Sequence, residues 1–512
     1  MDIISGQPLF LLFCFILSCL LFFTAARSRR SPSQVLSKSP PGPPRLPIIG
    51  NIHLVGKNPH HSFTDLSKTY GPVMSLKLGC LNSVVIASRD AAREVLKAHD
   101  QILSGRYITQ ATKSNNHHEF SVGWIHPSSP RFRNVEEMTF TQLFSPQRIE
   151  ATKALRMKKV QELVNFLSES SERGEAVDIS RASFVTALNI ISNILFSVNL
   201  GSYDSKNSSA FQEMVIGYME SIGNPDVSNF FPFMRLLDLQ GNSKKMKEYS
   251  GKLLQVFREF YDARILENSS RIDEKDVSSR DFLDALIDLQ QGDESEINID
   301  EIEHLLLDMF LAGTDTNSST VEWAMTELLG NPKTMTKVQD EINRVIRQNG
   351  DVQESHISKL PYLQAVIKET FRLHPAAPFL LPRKAERDVD ILGFHVPKDS
   401  HVLVNVWAIG RDPNVWENPT QFEPERFLGK DIDVKGTNYE LTPFGAGRRI
   451  CPGLPLALKT VHLMLASLLY TFEWKLPNGV GSEDLDMGET FGLTVHKTNP
   501  LLAVPLKKRA IN

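Results

Sequence analysis

Ten residues, Phe444-Gly445-Ala446-Gly447-Arg448-Arg449-Ile450-Cys451-Pro452-Gly453, hold the most specific chemistry in the chain. A single cysteine ends a glycine-rich loop. An apolar helical pattern follows Pro452 and Gly453: Leu456, Leu458, Val461, Met464, Leu465, Leu468. The glycines let backbone pass close to a flat ligand. A thiol at a helix start is favoured as thiolate by the free N–H groups and the helix dipole. That combination suits axial ligation of a haem iron by Cys451, with Phe444 packed on the loop and Arg449 facing a propionate. A buried structural cysteine in a glycine-rich turn is the plainer reading of the same residues.

A second constellation needs a long helix to place it. Asn298-Ile299-Asp300-Glu301 has capping-box spacing, and Gly330-Asn331-Pro332 closes the pattern. A helix of this span is a rod of about 48 Å, enough to cross a domain. In its middle stands Ala312-Gly313-Thr314-Asp315-Thr316. Ala312 and Gly313 remove bulk, so a flat cofactor can lie against the backbone. Asp315 and Thr316 put a carboxylate and a hydroxyl beside that gap, as proton delivery to dioxygen requires. A kinked core helix with hydroxyls bonded back to carbonyls is the alternative.

Further on, Glu369 and Arg372 share a helix face at a spacing of three, ahead of Pro424-Glu425-Arg426-Phe427. An isolated pair of this kind is usually a surface salt bridge of little weight. Pro378-Phe379-Leu380-Leu381-Pro382-Arg383 offers apolar residues to a substrate and Arg383 to a second propionate. The turn Thr490-Phe491-Gly492-Leu493-Thr494 could project Phe491 into the same cavity. Core packing explains Phe379, Leu380 and Phe491 equally well.

The elements that must position these residues read as a mainly helical body with a small β portion. Of 512 residues, 41% are apolar and 23% charged, which suits a globular protein with a large core. A net charge of −4 gives no field that would attract nucleic acid. The four cysteines (Cys14, Cys19, Cys80, Cys451) form neither a disulfide framework nor a zinc pattern. Residues 9–26 are uncharged and apolar, just long enough to span a bilayer, and Arg27, Arg29 and Arg30 follow. The basic side predicts a short lumenal terminus at 1–8, an anchor at 9–26 and a cytosolic body. A cleaved signal peptide ending at Thr24-Ala25-Ala26 competes, but no basic residue precedes the apolar run. With that orientation the sequons at Asn207, Asn268 and Asn317 are chance matches.

A linker and proline-rich hinge occupies 27–47, with the stiff run Pro40 to Pro47. The catalytic body runs from 48 to 512. It opens with a helix around Phe63, Leu66 and Tyr70, then a hairpin of Val73–Leu78 and Val84–Ala87. A helix over Ala91–Ala98 and an irregular stretch over Gln101–Trp124 come next. Helices dominate from Ile149 to Asn331, with a break near Asn268–Arg280, and short strands return after Asp388 and at the C-terminus.

The cysteine loop, the Ala-Gly-Thr-Asp-Thr helix, Glu369-x-x-Arg372, Pro424-Glu425-Arg426-Phe427 and the proline hinge occur in the order found in haem-thiolate monooxygenases. The chain resembles that family, the cytochrome P-450s, in its plant microsomal branch. Around Thr314–Met325 and Phe371–Lys384 it is similar to monoterpenol oxidases of the geraniol 8-hydroxylase kind. The resemblance implies haem b held by Cys451 and insertion of one atom of dioxygen into a C–H bond of a small lipophilic alcohol. It implies Asp315 and Thr316 as proton donors, and a buried structural lock of Glu369, Arg372 and Arg426. No dinucleotide fingerprint follows a strand, so electrons must come from a partner. The resemblance identifies that partner as an NADPH–cytochrome P-450 reductase in the endoplasmic reticulum membrane.

One stretch departs from the family. Where its members carry Trp-x-x-x-Arg, often followed by Lys, this chain has Phe132, Glu136 and Glu137. The indole donor is lost and a propionate-holding charge is reversed, which predicts weaker haem retention and weaker reductase coupling. A haem-poor, weakly active member and an oxygen-independent isomerase or dehydratase stand beside the monooxygenase reading.

Overall fold

Two short runs rich in Val, Leu and Ile build the first hairpin. In the computed structural model, which describes residues 38–204, 206–270, 280–292, 297–346 and 350–508, α1 (Pro59–Tyr70) leads into β1 (Val73–Leu78) and β2 (Leu81–Ile86). The strands pair antiparallel from Val73↔Ile86 to Leu78↔Leu81. Their turn is only Gly79 and Cys80, with Gly79 at φ +58°, so β2 begins three residues before the run at Val84. The 1–8 terminus, the 9–26 anchor and residues 27–37 of the linker, with Cys14 and Cys19, lie outside the described residues. From Ser39 onward the chain is one compact unit that takes in the proline hinge. There Ser75 donates its N–H to the Pro41 carbonyl and its hydroxyl to the Pro40 carbonyl, which lays the prolines along β1.

The stretch 101–124 is not wholly irregular. It contains β3 (Gly105–Arg106) and short helical turns at Ala111–Asn116 and His117–Phe120. Helices follow as α2 (Pro130–Thr139), α3 (Lys153–Arg173), α4 (Ile179–Phe196), α5 (Lys206–Gly223), α6 (Asn242–Ser270) and α7 (Phe282–Gln291). Helix α6 continues through the expected break at Asn268 as far as Ser270. Next come α8 (Ile299–Gly330), α9 (Pro332–Val345), α10 (Pro361–Leu373), β4 (Arg383–Lys384) and β5 (His401–Val404). The chain ends with α11 (Leu454–Thr471), a hairpin of β6 (Glu489–Thr490) and β7 (His496–Lys497), and the strand Leu502–Lys507. The main sheet has the order β1-β2-β5-β4-β3, with β2 and β5 parallel and the other pairs antiparallel.

Helix α8 begins where its capping box predicts. Asn298 Oδ1 accepts from the Glu301 N–H at 2.9 Å, and Glu301 Oε2 accepts from the Asn298 N–H at 2.8 Å. It is buried along most of its length and lies closely on α4: a Cβ at Gly313 would come within 2.6 Å of Ile191 Cδ1.

Beneath the cysteine loop, Glu369 and Arg372 of α10 form a bidentate pair, with Nε–Oε2 and Nη2–Oε1 both 2.7 Å. Glu369 Oε1 also accepts from Arg426 Nε at 3.0 Å and from the Glu423 N–H at 2.8 Å. Arg372 spends its remaining donors on the carbonyls of Gly410, Pro419 and Gln421. Both members of the α10 pair are fully buried. Replacing Glu369 by Gln leaves two buried cations against one neutral amide. A loss of about 3–5 kcal/mol is expected, read as a fall in denaturant midpoint with an unchanged slope.

Candidate functional site

The cysteine loop is set by backbone contacts. The Cys451 N–H donates to the Phe444 carbonyl at 2.9 Å, and Gly447, at φ +69°, passes so near Leu96 that a Cβ would stand 2.1 Å from its carbonyl oxygen. No side chain fits there. Helix α11 starts at Leu454, which leaves Cys451 just ahead of its first turn. Burial raises the thiol's pKa, and the N–H groups of Gly453 and Leu454, directed at Sγ, oppose that rise. The ring of Phe444 meets Phe371 of α10 edge-on at 5.2 Å, so the loop rests on the helix that carries the lock.

Three guanidinium groups converge on the other side of the loop. β3 and β4 place Arg106 directly opposite Arg383, an arrangement of like charges that destabilises a sheet. Arg106 donates to the Gly123 and Leu381 carbonyls, and Arg383 to the Leu103 carbonyl. Arg449 donates to the carbonyls of Ser104, Val122 and Ile125. Among the described residues none of the three has an ion-pair partner, and the buried Arg383 Nε has no hydrogen-bond partner. Burial, with repulsion from the neighbouring guanidinium groups at Arg106 and Arg383, lowers all three pKa values, and Arg383 and Arg449 come to about 10 although Asp100 and Glu136 pull the other way. Such a cluster calls for an anion with more than one negative charge. The two propionates of a haem would meet that need, and Cys451 on the neighbouring loop would offer its iron a soft ligand, so the residues fit the group. Arg106 went unread in the sequence because a two-residue strand carries no periodicity.

Above this region Ala312 and Thr316 stand on the accessible side of α8. Of the two small residues, Ala312 is exposed, whereas Gly313 admits Ile191 of α4. The Thr316 hydroxyl donates to the Ala312 carbonyl at 2.7 Å. Asp315 is not beside that hydroxyl. One residue along a helix is a turn of about 100°, and the Asp315 carboxylate is buried against β7, with Oδ2 3.3 Å from His496 Nε2.

A mostly apolar cleft opens between α1, the main sheet and the end of α5, lined in part by Phe379, Leu380, Leu403 and Phe491. Leu380 holds left-handed backbone at φ +55°, which turns the chain between this cleft and the cysteine loop. Phe491 is at the hairpin tip, stacked on His60 at 5.4 Å and edge-on to Phe379 at 5.9 Å. The hairpin base is tied down by Glu489, which accepts from His60 at 2.9 Å and His61 at 2.7 Å and lies 3.6 Å from His374. Burial raises this carboxyl, but the three histidines outweigh that and hold it well below the usual range.

The atypical stretch forms α2. Phe132 is buried, and the Arg449 guanidinium lies over its ring at 4.3 Å, a cation–π contact that steadies the arginine but supplies no hydrogen-bond donor. Glu136 and Glu137 face solvent. Partial burial raises the Glu136 pKa, and the charge of Arg449 pulls it back.

A family profile described as Cytochrome P450 matches residues 40–504. Over 512 residues the chain is 70% identical to Cytochrome P450 76C4 of Arabidopsis thaliana, covering the whole of both. It is 69% identical over 511 residues to Cytochrome P450 76C1 of the same plant, covering 100% of this chain and 99% of that protein. Geraniol 8-hydroxylase of Catharanthus roseus is 47% identical over 466 residues, which cover 91% of this chain and 93% of that protein. With the profile spanning most of its length, the chain belongs to the cytochrome P450 family of haem-binding monooxygenases.

Proposed function

We propose that this monooxygenase hydroxylates a small lipophilic alcohol of the monoterpenol class, using dioxygen and electrons delivered from NADPH by a membrane-bound flavoprotein reductase. The observation that carries the cofactor assignment is the buried Arg106–Arg383 pair with Arg449 beside it, a cationic socket matched by two propionates. The substrate class rests on the apolar cleft and on the likeness to a geraniol 8-hydroxylase. A membrane location accords with the 9–26 anchor and with exposed Ile48, Phe233 and Leu236 on the body.

In this reading Arg106, Arg383 and Arg449 orient the haem, Cys451 ligates it as thiolate, and Ala312 lets it approach α8. Bound haem supplies dioxygen activation. The chain's own residues do the rest. Phe379, Leu380 and Phe491 seat the apolar body of the substrate and exclude water. The Thr316 hydroxyl, freed from the Ala312 carbonyl, would hand on a proton, and Asp315, turned from β7 and protonated from solvent, would return one to it.

The full chain, reduced under carbon monoxide, is expected to give a thiolate-type Soret band, and geraniol or linalool a type I spectral shift. Absence of the band would support the haem-poor reading, and a band without a shift would remove the monoterpenol class. Replacing Arg106 by Leu is expected to lower haem content while raising the thermal midpoint of the haem-free protein, since a buried repulsion is relieved. Equal haem content would count against the socket. A Phe132→Trp, Glu136→Arg, Glu137→Lys variant is expected to retain more haem and couple better to reductase. Unchanged values would show that Phe132 stacking suffices.

A further inference from the structure

The sequence paired Asp315 with Thr316, yet the two side chains leave α8 in different directions. Asp315 is 1% exposed, and its Oδ2 faces His496 Nε2 at 3.3 Å. Neither atom has a hydrogen-bond partner among the described residues, so each has the other as its one charged neighbour in contact. The contact is built, not incidental. One turn along α8, the Ser319 hydroxyl donates to the Val495 carbonyl at 2.9 Å, and the Val495 N–H donates to the Ala376 carbonyl at 2.8 Å. Those two bonds fix the start of β7 against α8. Glu489 and its histidines fix β6 on the far side of the hairpin. His496 thus presents its ring to Asp315 from a strand tied at both edges.

We infer that His496 is a positioning residue for Asp315: as imidazolium it holds the carboxylate on the hairpin side of α8, and on losing its proton it relaxes that hold and lets the carboxylate turn toward Thr316. The inference rests on the reading of Asp315 and Thr316 as proton donors. A charge-assisted contact in a buried setting is far stronger than a neutral one, so one proton on His496 changes how firmly Asp315 is held. Burial lowers the His496 pKa, but Asp315, and then Glu322 of α8 and Glu220 of α5, outweigh it and leave the value raised. The imidazolium therefore persists above the ordinary histidine value near 6.5. Its contribution to stability is fully present below that value and is lost as pH rises through the folded value. Glu322, which burial raises to about 7, titrates close by and must be separated from it. Lys497, next on the strand, lies over Trp323 and keeps its charge away from the pair.

The test uses the full haem-loaded chain with reductase, as wild type, His496→Gln, His496→Lys and Glu322→Gln. Product formed per NADPH consumed and the thermal midpoint are followed from pH 6 to 9. Wild type and Glu322→Gln are expected to show a single transition in product yield per NADPH. The transition is absent from both His496 variants, with the lysine form on the low-pH limb and the glutamine form on the high-pH limb. The decline of the midpoint above pH 6.5 is likewise lost in His496→Gln, and Asp315→Asn removes the difference between that variant and wild type. Persistence of the transition in His496→Gln, its disappearance in Glu322→Gln, or a flat wild-type profile would overturn the inference. Should Asp315→Asn and Thr316→Ala leave product per NADPH unchanged at every pH, the proton-donor reading itself fails, a result distinct from failure at His496.

Discussion

Two buried guanidinium groups and a half-buried third, none in an ion pair among the described residues, are the constraint around which the site is organised. Arg106 and Arg383 confront each other across two strands, and Arg449 reaches in from the cysteine loop. Carbonyl oxygens satisfy part of their hydrogen bonding but cancel none of their charge. A pair of negative groups turns mutual repulsion into shared attraction, and in doing so ties the edge of the sheet to the loop that bears Cys451. With propionates in that place, cofactor and polypeptide would be one folding unit at this corner, because binding free energy there would also be folding free energy.

The lock beneath the loop solves a different problem. Glu369 is shared by Arg372 and Arg426, and Arg372 is spent on three carbonyls of the segment around 410–421. That binds an irregular stretch to a regular helix without needing secondary structure of its own. Phe371, on the same helix, passes the rigidity to Phe444 and so to the loop. Cys451 is placed by its own N–H bond to the Phe444 carbonyl, by the carbonyl bonds of Arg449 two residues before it, and by the packing of Phe444 on Phe371.

What could be read from the sequence followed from how local each signal is. The capping box at Asn298 and Glu301 fixes α8 to the residue, because both hydrogen bonds lie within one turn. The Glu369–Arg372 spacing puts both on one face for the same reason. Arg106 and His496 were illegible, since their partners lie hundreds of residues away and their strands are two residues long. Asp315 and Thr316 were legible as residue types but not as directions: adjacency in a helix separates side chains instead of joining them. Glu136 was legible as a reversed charge but not as a neighbour: in the fold it lies on the exposed side of its helix, near enough to Arg449 for the two charges to act on each other.

The short hairpin from Glu489 to Lys497 joins tasks that a designer would keep apart. Its tip lines the cleft through Phe491, its first strand is bolted to α1 and α10, and its return strand carries His496 to Asp315. Diversification of substrate range at residues 491–493 is thus not free to proceed on its own. If Phe491 seats the substrate and His496 steers Asp315, a tip refashioned for a bulkier guest would pull on the strand beside the acid, and a change in what enters would bring a change in how reducing power is used. Leu380, which packs in a different cluster from Phe491, offers a path of variation without that linkage.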